Sequence, residues 1–133
     1  MLLNLSEFSD EPLHGQVSRQ IRAQILAGHL LPGYGLPSIR RLAREQRVSV
    51  ITVQRAYDDL EGEGLLHSRR GKGFFVRDLS AAKRLRLARA RARTVLDVAV
   101  AQARAEGLSS DQIRELLNLA MSAQAAGDGE SRA

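Results

Sequence analysis

The chain has 133 residues, and its 20 Lys and Arg residues outnumber its 15 Asp and Glu residues, which gives a formal net charge of +5. A chain of this length has room for about one ordinary domain and is too short for a typical two-domain enzyme. The sequence contains no cysteine, which excludes a disulfide framework, cysteine-based zinc sites and thiol catalysis. The positive charge favours an anionic partner without identifying it.

Hydropathy and aromatic content exclude further classes. No apolar stretch approaches the roughly 20 residues that a membrane helix needs, and the N-terminus lacks the segments of a secretion signal. We therefore expect a soluble, cytoplasmic protein with no membrane partner. Only 4% of the residues are aromatic, which argues against a stacking platform for single-stranded nucleic acid.

The first predicted helix begins at Pro12, because proline is tolerated at the first position of a helix. Its apolar residues recur at every fourth position and so line one face. These residues are Leu13, Val17, Ile21 and Ile25. Gly28 offers a stop, and the Pro- and Gly-rich residues 32–37 predict a loop or a short extended segment.

Two short helices separated by a turn are predicted next. Ser38 is a candidate N-cap for a helix of about two turns, and Ser49 is a candidate N-cap for the helix after residues 46–48. The second of these helices combines a polar outer face with an apolar stripe, which is typical of a helix-turn-helix. The stripe consists of Val53, Ala56, Tyr57 and Leu60.

A hairpin with a basic tip is predicted after these helices. Residues 65–68 and 74–76 have the composition of short strands, and a Gly-rich segment with three basic residues separates them. Glycine allows positive φ angles at the tip, and its positive charge can reach a phosphate or a minor groove. The hairpin therefore predicts the wing of a winged helix-turn-helix in residues 1–77.

Three motifs in this part of the chain occur in a set order. They are GHLLPGYGLPSIRRLA at 28–43, VSVITVQRAYDDLEGEGLL at 48–66 and RGKGFFV at 70–76. Together they resemble the DNA-binding domain of GntR-type bacterial transcription regulators, and the TVQRAY string with the short C-terminal part resembles the YtrA-like subfamily. The resemblance implies a homodimeric repressor with two C-terminal helices instead of a ligand-binding domain. It also implies control of a transporter operon and of the protein's own gene.

The candidate DNA contacts come from the resemblance and from the chemistry of the residues. On the second helix of the helix-turn-helix, Val50 and Gln54 share a face with Asp58. Gln can pair with adenine through two hydrogen bonds and Val can pack on a thymine methyl, so this face is suited to an A·T-containing half-site. The resemblance implies phosphate or base contact at the start of the preceding helix and a phosphate contact at Thr52. The full predicted set is Ser38, Arg40, Ser49, Val50, Thr52, Gln54, Arg55, Arg69, Arg70, Gly71 and Lys72.

Several positions depart from the family pattern. Val50 and Gln54 stand where many members have Arg, which implies a different base preference, and Ile51 replaces a frequent hydroxyl residue. Arg47 stands where glycine is frequent in the turn. A left-handed conformation at Arg47 would cost on the order of 1 kcal/mol, and a slightly different turn is the alternative.

Residues 78–126 are predicted to form an α-helical dimerisation region, and residues 127–133 a flexible tail. Gly107 ends the first helix of this region, and Ser109 with Gln112 fits a capping box at the start of the second. Two helices alone cannot bury their apolar stripes, so we expect them to pack against a second copy. The predicted interface is Leu85, Ala88, Ala92, Val95, Leu96, Ala99, Ile113, Leu116, Leu117 and Met121.

The basic residues between positions 83 and 93 have two interpretations. They form a solvated rim that pairs with acidic residues such as Asp111 and Glu115, or they contact the DNA backbone behind the winged domain. Removing the charges of Arg84 and Arg86 would reduce the salt dependence of DNA binding only under the second interpretation.

We expect no enzyme, no metal and no cofactor, and no residues point to an effector site. The three histidines, at positions 14, 29 and 67, lack metal-ligand spacing, and Gly71-Lys72-Gly73 lacks the residues of a Walker A loop. The predicted partners are a double-stranded DNA operator and a second copy of the chain. The alternatives are a small dimeric protein-interaction module and a non-specific architectural DNA binder.

Overall fold

The computed structural model describes the backbone of residues 1–132 and the side chains of residues 1–127. Its elements are α1 (Leu13–Leu26), α2 (Ile39–Gln46), α3 (Val50–Gly62), β1 (Leu66–Arg69), β2 (Gly73–Val76), α4 (Ala81–Ala105) and α5 (Ser110–Arg132). The predicted fold class, mostly α with a β-hairpin wing and two C-terminal helices, is confirmed. The chain forms two compact units, Met1–Ala88 and a second that begins at Arg89. Residues 128–133 of the predicted tail lie outside the fully described residues.

One hydrophobic core holds the first unit together, and α1 packs against α3 across it. The stripe predicted for the helix after the turn is fully buried, and so are three of the four apolar residues predicted for α1. Leu13 at the start of α1 is half-buried. The buried apolar residues of the three helices are Val17, Ile21, Ile25, Leu42, Ala43, Val53, Ala56, Tyr57 and Leu60.

The predicted N-caps of α2 and α3 are confirmed. The Ser38 hydroxyl accepts a hydrogen bond from the backbone N–H of Arg41 at 3.1 Å, and the Ser49 hydroxyl accepts one from Thr52 at 3.0 Å. Pro12 is the N-cap of α1 and not its first helical residue, a shift of one position. Gly28, with φ of 81°, follows the end of that helix as predicted.

The hairpin is antiparallel, and its register pairs Leu66 with Val76 and Arg69 with Gly73. Gly71 and Gly73 have φ angles of 76° and 97°, so the tip uses the conformational freedom that the sequence predicts. The loop between α1 and α2 lies antiparallel beside β2 and forms an isolated bridge between Gly35 and Phe75. Gly33 N–H of this loop donates to the Val76 carbonyl at 2.8 Å. Val76 N–H in turn donates to the carbonyl of Tyr34, and Leu36 N–H to that of Phe74, both at 2.9 Å.

An extended N-terminal arm lies along α1, which the sequence analysis did not predict. Glutamines spaced four residues apart on α1 hydrogen-bond to alternate backbone positions of the arm, as a neighbouring β-strand would. The Gln20 amide, for example, both accepts from Asn4 N–H and donates to the Asn4 carbonyl, each at 2.7 Å. The remaining pairs are Gln16 with Ser6, and Gln24 with Leu2.

An ion pair braces α1 against the end of α3. The guanidinium of Arg22, which is 8% exposed, donates to both carboxylate oxygens of Glu63, at 2.8 and 2.5 Å. The two parallel hydrogen bonds fix the angle between the groups as well as their distance. Because Arg22 is nearly buried, its positive charge would destabilise the fold without the compensating carboxylate of Glu63.

The second unit consists of the rest of α4 together with α5. The predicted capping box is confirmed: Gln112 N–H donates to the Ser109 hydroxyl at 3.2 Å, and Ser109 N–H donates to the Gln112 side-chain carbonyl at 2.9 Å. An apolar groove of about 240 Å³ is lined by side chains of both helices. They are Leu96, Ala99, Val100, Ala103, Ile113, Leu116 and Leu117. Within the described part of the chain, none of the helices is both long and apolar enough to cross a membrane.

The brace between α1 and α3 predicts a stability difference. Glu63→Gln removes the charge that compensates Arg22, and we expect the free energy of unfolding to fall by about 1–2 kcal/mol, less than for a fully buried pair because the Glu63 side chain is 34% exposed. Urea denaturation measures this change. The control Arg19→Gln breaks an exposed pair with Glu11 and should have a much smaller effect. Equal effects of the two variants would contradict the bracing role.

Candidate nucleic-acid interface

The N-terminus of α2 is held in place by Tyr57 of α3. The buried Tyr57 hydroxyl donates to the Pro37 carbonyl at 2.7 Å, directly before the cap residue Ser38. Burial raises the pKa of the Tyr57 phenol, so the group remains a neutral donor. The amide groups that begin α2 are therefore fixed relative to α3, in a position where the helix dipole favours an anion.

The outer face of α3 carries the side chains predicted to read bases, and all of them are exposed. Val50 is 47% exposed and Ile51 79% exposed, and Gln54, Arg55 and Asp58 are exposed as well. The side-chain N–H of Gln54 donates to a carboxylate oxygen of Asp58 at 2.9 Å. Asp58 is on this face in the sequence-based prediction but has no predicted role there, although the spacing of four residues is the signal for such a contact.

The predicted phosphate contacts lie at the two helix starts. Arg40 is exposed in the first turn of α2. At the start of α3, the Ser49 and Thr52 hydroxyl oxygens lie 2.8 Å apart and hydrogen-bond to each other. Ser49 thus serves first as a cap, and the Thr52 hydroxyl is oriented by it.

The turn between α2 and α3 is left-handed at Arg47, with φ of 56° and ψ of 43°. Of the two conformations considered for this position, the chain takes the strained one. The conformation closes the end of α2, since Val48 N–H donates to the Ala43 carbonyl at 3.0 Å and Arg47 N–H to that of Arg44 at 3.3 Å. The Arg47 side chain is exposed.

Arg70, Gly71 and Lys72 are exposed at the wing tip, and the side chain of Arg69 contacts Phe75. The Arg69 guanidinium carbon lies 5.1 Å from the centre of the Phe75 ring, a distance suited to a cation–π contact. Phe75 is not among the site residues predicted from the sequence. The alternation of side chains between the two faces of a strand is the signal that identifies Phe75, because His67 and Arg69 share a face of β1 and Phe75 pairs with His67 across the hairpin.

The basic residues between positions 83 and 93, at the start of α4, differ in the contacts that they make. A Cβ atom placed on Gly28 would lie 2.6 Å from a terminal nitrogen of Arg84, so this arginine lies against the end of α1. Arg93 pairs with Asp97 of the same helix at 3.0 Å, and Asp111 pairs with Arg114 at 3.1 Å, also within one helix. These contacts leave both interpretations of the stretch open. Among the residues that the structure describes, no three His, Asp or Glu side chains cluster as metal ligands would.

Residues 13–76 match the sequence profile of the family described as "Bacterial regulatory proteins, gntR family". The chain is 33% identical over 75 residues to the HTH-type transcriptional repressor YtrA of Bacillus subtilis, a match that covers 56% of this chain and 58% of that protein. The chain spans 56% of the length of another curated relative, and 16% and 30% of two more.

Two solved structures resemble the chain over most of its length. A GntR family transcriptional regulator from Listeria monocytogenes is 25% identical with a TM-score of 0.73, covering 84% of this chain and 97% of that one. YtrA from Sulfolobus acidocaldarius, a GntR-family transcription factor, is 30% identical with a TM-score of 0.55, covering 90% and 97%. The resemblance thus extends beyond the winged unit into the C-terminal helices.

The left-handed turn predicts a stabilising substitution. Arg47→Gly removes the steric cost of the positive φ angle, and we expect the free energy of unfolding to rise by about 0.5 kcal/mol after the greater entropy of glycine in the unfolded chain is subtracted. Urea denaturation measures the gain. The control Arg44→Gly, inside α2, removes the same charge and should instead lower the stability by up to about 1 kcal/mol. A destabilised Arg47→Gly variant would contradict the turn geometry.

Proposed function

The chain is a member of the gntR family of bacterial regulatory proteins, and on that basis we propose that it is a homodimeric transcriptional repressor that binds a two-fold symmetric operator in double-stranded DNA. The observation that carries the proposal is the combination, on one unit, of an exposed polar face on α3, a fixed α2 N-terminus and a basic wing tip. Such a unit can bind base edges and backbone at the same time.

In this proposal residues 1–77 bind the DNA. The face of α3 with Val50 and Gln54 enters the major groove, with Arg55 beside it. The α2 N-terminus with Arg40 and the hydroxyl of Thr52 contact phosphates, because the first turns of α2 and α3 each carry a hydrogen-bond donor side chain beside the helix N-terminus. These contacts determine the orientation of α3 and carry no sequence information themselves.

The wing supplies charge at a second point. Arg70 and Lys72 are exposed at the tip. Arg69 is held over Phe75, so its side chain loses less conformational entropy when it contacts a phosphate. Gly71 permits the tip to turn sharply because its φ is positive. We assign this tip to the DNA backbone or the adjacent minor groove.

In this proposal residues 78–126 form the dimer. Apolar side chains of α4 and α5 are 44% to 68% exposed in a single chain, which is costly unless another surface covers them. Those of the predicted interface are Leu85, Val95, Leu96, Leu116, Leu117 and Met121, and Val98 and Leu119 outside it are similarly exposed. A dimer would bring two reading units to half-sites about one turn of DNA apart, or a multiple of it.

The regulatory role rests on the relatives. The Bacillus subtilis YtrA is named a repressor, and we propose the same direction of control here, by exclusion of polymerase from the promoter. The relatives reported above are named as regulators and not as enzymes, so we propose no catalysis. The protein would work with its DNA in the cytoplasm, on a transporter operon and its own gene.

The operator can be found by selecting sequences bound by the full chain from a random duplex pool. We expect an inverted repeat, and a reporter under that operator should be repressed when the protein is present. Arg70→Ala or Lys72→Ala should weaken binding to all sequences by a similar factor and reduce the slope of log affinity against log salt by about 0.9 per lost phosphate contact. Gln54→Ala should instead change the base preference at one position of each half-site.

Each alternative has its own outcome in this selection. If no sequence is enriched at low salt, the proposal is contradicted and an interaction module is indicated instead. Equal affinity for the selected site and random duplex would indicate an architectural binder. An unchanged salt slope in the Arg84→Ala and Arg86→Ala variants would exclude these arginines from DNA contact.

The proposed dimer interface predicts that a charge placed in it lowers the mass of the protein particle in solution. Leu96→Glu introduces a charge into the apolar groove of α4 and α5, and we expect the dimer to dissociate to monomer at micromolar concentration, as measured by light scattering. The control Ala101→Glu places the same charge on the opposite side of α4 and should leave the mass of the dimer unchanged. A monomeric wild-type protein would contradict the proposed assembly.

A further inference from the structure

The face of α3 contains a contact that the proposed function does not yet use. The side-chain nitrogen of Gln54 donates a hydrogen bond to Asp58 at 2.9 Å, one helical turn further along. An ionised carboxylate only accepts hydrogen bonds, so the NH₂ end of the amide, and not its oxygen, must face Asp58. Both side chains are exposed, so the restrained amide lies at the surface where a base edge would bind.

This restraint changes what Gln54 can offer to a base. The NH₂ group has two hydrogens, and Asp58 occupies one of them. One N–H and the carbonyl oxygen remain free, a donor beside an acceptor. Without Asp58 the amide could rotate and offer both N–H groups in one direction.

The free donor and acceptor match adenine better than guanine. In the major groove adenine presents the acceptor N7 beside the N6 donor, whereas guanine presents two acceptors, N7 and O6. Gln54 in its restrained orientation can satisfy both groups of adenine but only one of guanine. The negative charge of Asp58 acts in the same direction, because it repels the two guanine acceptors and attracts the adenine donor.

We propose that Asp58 is a positioning residue that orients the Gln54 amide so that α3 selects adenine over guanine at one position of each half-site. The inference rests on the proposed function, since it names the base read by the same face. Asp58 acts through Gln54 and needs no contact with the DNA itself.

The test compares two carboxylates that are neighbours in α3. Asp58→Ala removes the partner of Gln54, and Asp59→Ala removes the same charge from the next position, which is also exposed. Alanine favours helix, so both full-length variants should retain the fold, and their thermal unfolding midpoints check this. The position that Gln54 reads is first identified as the one whose preference changes in Gln54→Ala.

Competition between two duplexes that differ only by adenine or guanine at this position then measures the preference. We expect the wild type and Asp59→Ala to prefer adenine about tenfold. For Asp58→Ala we expect the preference to fall to about twofold, even if its affinity for all duplexes rises through the lost negative charge. The ratio of the two affinities is the readout, because it is insensitive to such a general change.

Two results would overturn the inference. One is an Asp58→Ala variant that keeps the tenfold preference, and the other is an equal loss in Asp59→Ala, which would indicate charge alone. A Gln54→Ala variant with unchanged preference at every position would also overturn it and would remove Gln54 from the proposed base contacts, while a selected operator would still support the proposed regulator. A wild-type protein that selects no sequence would instead contradict the proposed function itself.

Discussion

The first unit depends on one buried side chain, Tyr57. Its ring lies in the core at the centre of α3, and its hydroxyl donates to the Pro37 carbonyl ahead of α2. The ring also meets Phe74 of β2 edge to face, with centres 5.1 Å apart. A single residue therefore connects the proposed reading helix with the start of α2 and with the wing. Its phenol is both buried and satisfied, so the three parts can keep fixed positions.

The sequence predicts the parts of this unit that depend on local rules. Burial of Val53 and Leu60 follows from helical periodicity, and the caps at Ser38 and Ser49 follow from residue type and position. Contacts between distant residues could not be predicted in this way. The pair of Arg22 with Glu63 joins residues 41 positions apart, and periodicity gives no information on such a pairing.

Arg47 shows a different limit. The sequence admits two conformations, and the choice depends on whether the gain from closing the turn exceeds the local cost. In the folded chain the left-handed form lets Val48 N–H reach the Ala43 carbonyl and end α2 beside α3. Tertiary packing therefore stabilises the strained left-handed conformation at Arg47, in the turn that sets the angle between α2 and α3.

A formal charge of +5 pointed to an anionic partner, yet Asp58 places a negative charge on the face proposed to meet that partner. A carboxylate there weakens attraction to phosphates and so lowers affinity for every sequence alike. Specificity is a difference between affinities, and it improves when an unwanted partner is weakened more than the right one. The Asp58 carboxylate has this property, because it restrains Gln54 toward adenine and repels guanine acceptors. In the proposed complex the wing and the α2 N-terminus supply the general attraction to phosphates, so a loss of attraction at α3 is tolerated in exchange for discrimination between bases.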